Sequence, residues 1–413
     1  MSKRKLFSMV AAACLVASNV SAESSVDADP ALSGWINGVL SQNPEVQAAQ
    51  AAVDAAGGRL RGAEQPLFNP ELEFEYESSD VDTTTGGISQ TIDWAGKREA
   101  RAGVAQSGQV AAVAGLRARR QALAAELLRS LADWQASDAI TRVSEQQSEL
   151  MTRFARLADQ RRRAGDLNQV ELDLAHLAAA DAAFQQSNAQ ENLIRTRQVV
   201  TALTGGDHAS WPALTGTLPE LDPEQIDVER QLADLPLLQA ALARVAAARA
   251  SVQLSLREKR PDPTIGIRAG KEDSDTLTGI TLSVPLFVRN TFSAEVDVAN
   301  AELIQAEREA AGLYQQARAD LTAAAQVYRN AQRAWKTWED SGAPRLSQRT
   351  DLLDRLWRAG ELSTTDYLVQ LKQALETEVS ATEQHGRMWR AWADWLAASG
   401  RIAQWLNLEG EKQ

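Results

Sequence analysis
The chain has 413 residues, a formal net charge of −12 and only 5% aromatic residues. That length accommodates about two or three ordinary domains, and the acidic balance argues against a nucleic-acid partner. Past the N-terminal leader no run reaches the roughly 18 apolar residues of a membrane-spanning helix, so any membrane span has to be made of closed β-strands.

The leader comes first. Lys3, Arg4 and Lys5 precede an apolar run from Leu6 to Ala17, and Val20-Ser21-Ala22 ends it with a small-x-small pattern. This predicts a signal peptide over residues 1–22, cleaved after Ala22, and a mature chain outside the cytoplasm. Cys14, the one cysteine, leaves with the leader; the short apolar run before it disfavours lipidation there. A mature chain without cysteine has no disulfide and no thiolate metal site. Loss of three basic residues takes the charge from −12 to −15.

Two copies of one unit follow. Arg162 to Leu172, RRAGDLNQVEL, recurs 195 positions later as WRAGELSTTDY, Trp357 to Tyr367. NPEVQAAQAAVDAA from Asn43 recurs 192 positions later from Leu235. The boundaries read as a first repeat over 31–206, a connector over 207–234, a second repeat over 235–405 and a tail over 406–413.

Each copy repeats the same order of textures. An alanine-rich helix opened by proline spans Pro44 to Glu64 or Pro236 to Arg260. A proline-containing break follows, then two alternating segments, then a long helical hairpin. Leu72, Phe74 and Tyr76 share one face of the first segment, with Glu71, Glu73, Glu75 and Glu77 on the other. Ile88, Ile92 and Trp94 oppose Ser89, Thr91 and Asp93; Ile265 and Ile267 oppose Thr264 and Arg268; Ile280, Leu282, Val284 and Leu286 oppose Thr281 and Ser283. Such period-2 segments, about eight to eleven residues long, suit a membrane β-barrel wall with water on one side and lipid on the other. Glu71, Glu73, Glu75 and Glu77 are accordingly assigned to the lumen, and Leu72, Phe74, Tyr76, Ile280, Leu282 and Val284 to lipid. Four strands cannot close a barrel, so other copies of the chain must complete it; three copies supply twelve strands.

In the hairpin of the first copy a helix from Lys97 to Ala164 would run about 100 Å. In the second, Tyr314, Leu321, Tyr328 and Trp335 recur every seven residues with Ala317, Ala324 and Ala331 three further on, a coiled-coil seam with close axes. Gly342-Ala343-Pro344 predicts an interruption into two stacked helices. Trp389, Trp392 and Trp395, beside Trp405, read as a core stripe near the middle of the assembly.

Chemistry is missing. His176, His208 and His385 stand far apart, with Met151 and Met388, so the sequence offers no nitrogen or sulfur cluster for a transition metal. It has no nucleophile elbow, metalloprotease helix or phosphate loop. Neither a catalytic residue nor a cofactor is expected.

The duplicated RAGDL and RAGEL turns, ISQTIDWAGKREAR (Ile88 to Arg101) and LSVPLFVRN (Leu282 to Asn290) together resemble the TolC-like outer membrane efflux proteins. The last two are similar to the heavy-metal, CzcC-type branch. The resemblance covers nearly all of the mature chain. It implies a mostly α fold with a small β part: long hairpins forming a trimeric periplasmic α-barrel, and four strands per protomer in a twelve-stranded outer-membrane β-barrel. It further implies a homotrimer in outer membrane lipid that reaches into the periplasm and works with a periplasmic adaptor protein and an inner-membrane RND pump. Such a trimer is the exit duct of an efflux system, here for heavy-metal cations, and not an enzyme. By the same resemblance, Arg163, Gly165, Asp166, Leu167, Arg358, Gly360, Glu361 and Leu362 are adaptor-docking tips. Asp366 matches one position of an acidic periplasmic gate, while Val369 departs from the other. Rival readings are a multidrug or type I secretion channel and, from another class, a secreted coiled-coil scaffold.

Overall fold
A computed structural model describes residues 28–80, 82–206, 211–221 and 227–408. The leader, its cleavage after Ala22, Cys14, His208 and residues 409–413 lie outside these. The side chain of Arg358 is likewise not described.

Prolines and polar caps set where the helices start. α1 (Pro30–Gln42) and α2 (Pro44–Ala63) each begin with proline, and the side chains of Asp29 and Asn43 accept the N–H groups of Ala31 and Glu45 at 2.8 and 2.9 Å. β1 (Glu71–Glu77) and β2 (Thr83–Thr91) form the first hairpin and lead into α3 (Lys97–Ala164) and α4 (Gln169–Thr204). After the connector and α5 (Val228–Asp234), the order returns: α6 (Pro236–Glu258), β3 (Thr264–Glu272), β4 (Asp275–Ser283), then α7 (Ser293–Thr337), α8 (Ala343–Arg358) and α9 (Thr364–Ser399). A short α10 (Ile402–Trp405) ends the described chain.

The duplication becomes a near-symmetric pile of rods. α3 lies along α2, α4, α6 and α9, and α7 along α6 and α9, so α6 packs between the long helices of the two repeats. The largest cluster of buried side chains joins Ile36 and Leu40 from α1, Leu123, Leu127 and Leu131 from α3, Tyr328 from α7, and Trp389, Trp392 and Trp395 from α9. Trp392 stacks on Trp395 at 5.0 Å and meets Trp405 edge-on at 5.8 Å, as the core reading of that stripe anticipates. Leu406 and Leu408 are buried in the same cluster, so the segment read as a tail from 406 begins inside the core. Leu214 brings the connector onto it as well.

Two expectations change in detail. α7 does not stop at Gly342-Ala343-Pro344; a five-residue π turn, Trp338–Gly342, carries the chain into α8. Pro344 has no N–H to donate to the carbonyl of Asp340 and its ring would strike it, and a widened turn absorbs both faults. The strands are also shifted. β2 starts at Thr83, before the alternation becomes visible, and stops at Thr91, so Ile92 and Trp94 lie past it; Val284 and Leu286 lie past β4. Trp94 instead donates its indole N–H to the carbonyl of Pro261 at 2.6 Å.

Candidate functional site
The four strands form one antiparallel sheet in the order β1-β2-β3-β4, so each repeat contributes a hairpin and β2–β3 joins them. The register aligns the faces across all four strands. Leu72, Ile88, Ile267 and Ile280 stand side by side in one lateral row, with Phe74 and Leu282 on the same face. The opposite face carries Glu71, Glu73, Glu75 and Glu77, then Thr85 and Ser89, then Arg268 and Glu272, then Asp275 and Thr281.

Exposure is inverted relative to a soluble sheet. Leu72 is 87% exposed and Ile280 81%, whereas Ser89, on the polar face, is 5% exposed. The polar face is the more crowded one at its glycines. A Cβ added to Gly270 there would sit 2.0 Å from the carbonyl oxygen of Thr84, and one on Gly266 would sit 2.5 Å from Thr281 Oγ1; on the apolar face, Gly86 has nothing within 4 Å. Glycines therefore occupy polar-face positions where neighbouring strands leave no room for a side chain. Among the described residues, both edges of the sheet, β1 and β4, have no further strand.

The strand–helix junction is held by residues of the segment containing Gly96-Lys97-Arg98. Both carboxylate oxygens of Asp93 accept from the first backbone N–H groups of α3, Lys97 at 2.7 Å and Arg98 at 2.8 Å. Lys97 Nζ pairs with buried Asp262 at 2.9 Å, and Arg257 donates to the carbonyl of Gly96 at 2.6 Å and to Glu99 at 2.8 Å. This cross-repeat lock was not assigned from sequence. The acid four residues ahead of a long helix was the available signal.

The duplicated turns lie together at the far end of the hairpins. Gly165 and Gly360 adopt φ of 87° and 76°, a left-handed conformation that suits glycine. Phe154, Trp357 and Tyr367 pack ring on ring at 4.8 to 5.5 Å, and the Arg161 guanidinium lies 4.6 Å from the Trp357 ring centre. Arg163, Gly165, Asp166, Gly360 and Glu361 are exposed. Leu167 is buried and Leu362 is half-buried against this cluster, so these two hold the turns in place and do not present a surface.

Asp366 occupies a role that the gate reading does not include. Its N–H donates to Ser363 Oγ at 3.1 Å, and that hydroxyl donates to its carboxylate at 2.7 Å. In the first repeat, Asn168 and Glu171 form the matching capping box, at 2.9 and 3.1 Å. Elsewhere, the His176 imidazole faces Asp159 at 3.2 Å. Among the described residues no three His, Cys, Asp or Glu side chains converge as a metal-holding group.

Comparison with known proteins places this geometry. The outer membrane efflux protein family model matches residues 35–206, the first repeat. The cobalt-zinc-cadmium resistance protein CzcC of Cupriavidus metallidurans is 25% identical over 274 residues, 64% of this chain. The nickel-cobalt-cadmium resistance protein NccC of Alcaligenes xylosoxydans xylosoxydans is 26% identical over 286 residues, 65% of this chain. The match spans 65% of the length of each relative. The solved structure of CusC, described for its transmembrane channel formation, superposes with a TM-score of 0.75 at 15% identity, over 90% of this chain and 92% of that one. The fold is thus mostly helical with a small four-stranded sheet, the architecture that this chain shares with CusC. Over its first repeat the chain is similar to the outer membrane efflux protein family, and along 90% of its length it shares the fold of CusC.

Proposed function
We propose that the chain is one protomer of a homotrimeric exit duct in the outer membrane, which passes heavy-metal cations out of the cell. One observation carries the reading: a sheet with one charged face, an opposite face that is apolar and exposed, and two edges that are open among the described residues. In water both the apolar face and the open edges are liabilities; in lipid the face is stabilised and the edges have to be paired. Three copies give twelve strands around an acid-lined pore. The helical hairpins extend it about 100 Å into the periplasm.

The exposed tip residues Arg163, Gly165, Asp166, Gly360 and Glu361 are the contact for a periplasmic adaptor, which couples the duct to an inner-membrane RND pump. The repeated turn supports this by offering one docking shape twice per protomer. Three copies of Asp366 form an acidic ring at the entrance, each carboxylate oriented by Ser363. The likeness to two metal-resistance proteins supports metal cations as cargo, with discrimination left to the pump because the wall offers oxygen ligands only.

Fractionation tests the architecture: a detergent-extracted trimer from the outer membrane is expected, and recovery as soluble periplasmic protein would support a helical scaffold instead. Gene deletion tests the cargo. Sensitivity to cobalt, zinc, cadmium or nickel is expected to rise, and a change confined to drugs would reassign the duct to multidrug efflux.

A further inference from the structure
Arg268 is the single cation on the polar face of the described strands; Lys271 falls on the other face. It is flanked by two glycines, Gly87 on β2 and Gly279 on β4. Its side chain leans to one side. Nε lies 3.2 Å and Cγ 3.5 Å from the position that a Cβ on Gly279 would take. The guanidinium is therefore laid across β4, toward the open edge and away from Glu73 of its own sheet. The Glu73 carboxylate is engaged elsewhere, accepting from Ser89 Oγ at 3.1 Å. Glu75 and Glu77 line the same concavity as Arg268 without an ion pair to it among the described residues.

We infer that Arg268 crosses the seam between two copies and pairs with a β1 glutamate of the neighbouring copy. This rests on the trimeric duct proposed above and specifies how its seam is held. β1 runs opposite to β4, so the next copy's β1 continues the antiparallel ladder on that edge. Strands lie about 4.8 Å apart, which puts the new β1 about 10 Å from β3, with Gly279 in between. An arginine and a glutamate together span that gap only if no side chain rises between them, and glycine leaves it clear. The alternation of β1 now has a reason. With an acid at every polar-face position, a carboxylate meets the guanidinium in any register that keeps the polar faces together.

The test uses the full-length protein extracted as a complex from the outer membrane, in a Cys14→Ser background. Arg268→Glu is expected to lower the trimer fraction on native gels about tenfold, as loss of an interfacial charge pair would. Reversal of one of Glu71, Glu73, Glu75 or Glu77 to Arg in the same chain is expected to restore it. Independently, with Arg268 intact, Gly279→Cys combined with a cysteine at one of those glutamates is expected to give disulfide-linked copies. Full-strength trimer in Arg268→Glu, or an unlinked trimer for all four cysteine pairs, overturns the inference while leaving the duct standing. A monomeric wild-type protein overturns the duct itself.

Discussion
Asn168 and Ser363 stand 195 positions apart and act alike, each capping the helix that leaves a tip and each met by an acid three residues on. Asn168→Ala and Ser363→Ala should each cost about 1 kcal/mol, measured as a lower unfolding midpoint and faster proteolysis at the turns. Asp366→Ala should reduce cation selectivity of trimers in planar bilayers; unchanged selectivity removes it from the gate and leaves it as a cap. His385 gives a pH handle. Its ring lies 4.6 Å from that of Trp335, and burial lowers its pKa from 6.5, with Glu339 opposing in part. The unfolded chain then takes up the proton first, so stability is complete above about pH 6.5 and falls as pH drops toward the lower folded value. Replacing His385 with Phe should flatten the acid limb of a thermal-midpoint profile, provided the ring still fits beside Trp335. Residue identities at the tips were legible because they occur twice. The capping role of Asp366 was legible too, in the N-x-x-E pattern of the first copy, whereas the family resemblance at the second tip points to a gate.

At the scale of elements, long helices were readable almost to the residue, because α3 starts at a glycine beside an acid cap and ends at a glycine in the left-handed conformation. The strands were readable as alternation but not as boundaries. Thr83 to Gly87 has no apolar partner at every second position; pairing with Tyr76, Glu75 and Phe74 makes it a strand. Ile92 and Trp94 do alternate, yet Gly96 and the Asp93 cap already commit the chain to the helix. The crowding at Gly266 and Gly270 was not legible at all, since a glycine reads the same on either face. Gly270→Val is therefore a test of shape: its branched side chain must displace the Thr84 carbonyl, so the β2–β3 pair should open and membrane-inserted trimer should be lost while helical content is kept.

For the whole molecule, the inversion of the sheet decides where it can exist. Leu72→Asp with Ile280→Asp places carboxylates on the apolar face, where lipid is expected, and should leave a protein with normal circular dichroism that no longer partitions into the outer membrane. Glu73→Gln with Glu75→Gln should shift the reversal potential of the pore toward lower cation preference, since two acids per copy are removed from the wall.

Thr91 and Thr264 face each other across the β2–β3 pair with hydroxyls 2.8 Å apart, although 173 positions separate them in the chain. Closing so long a loop is costly until the helices between have packed and brought the strands together. The two hairpins thus meet late, after α3, α4 and α6 have formed their rods. In the proposed duct, this order would make the helical tunnel fold first, in water, and serve as the jig on which the strands of each copy are aligned before they enter lipid.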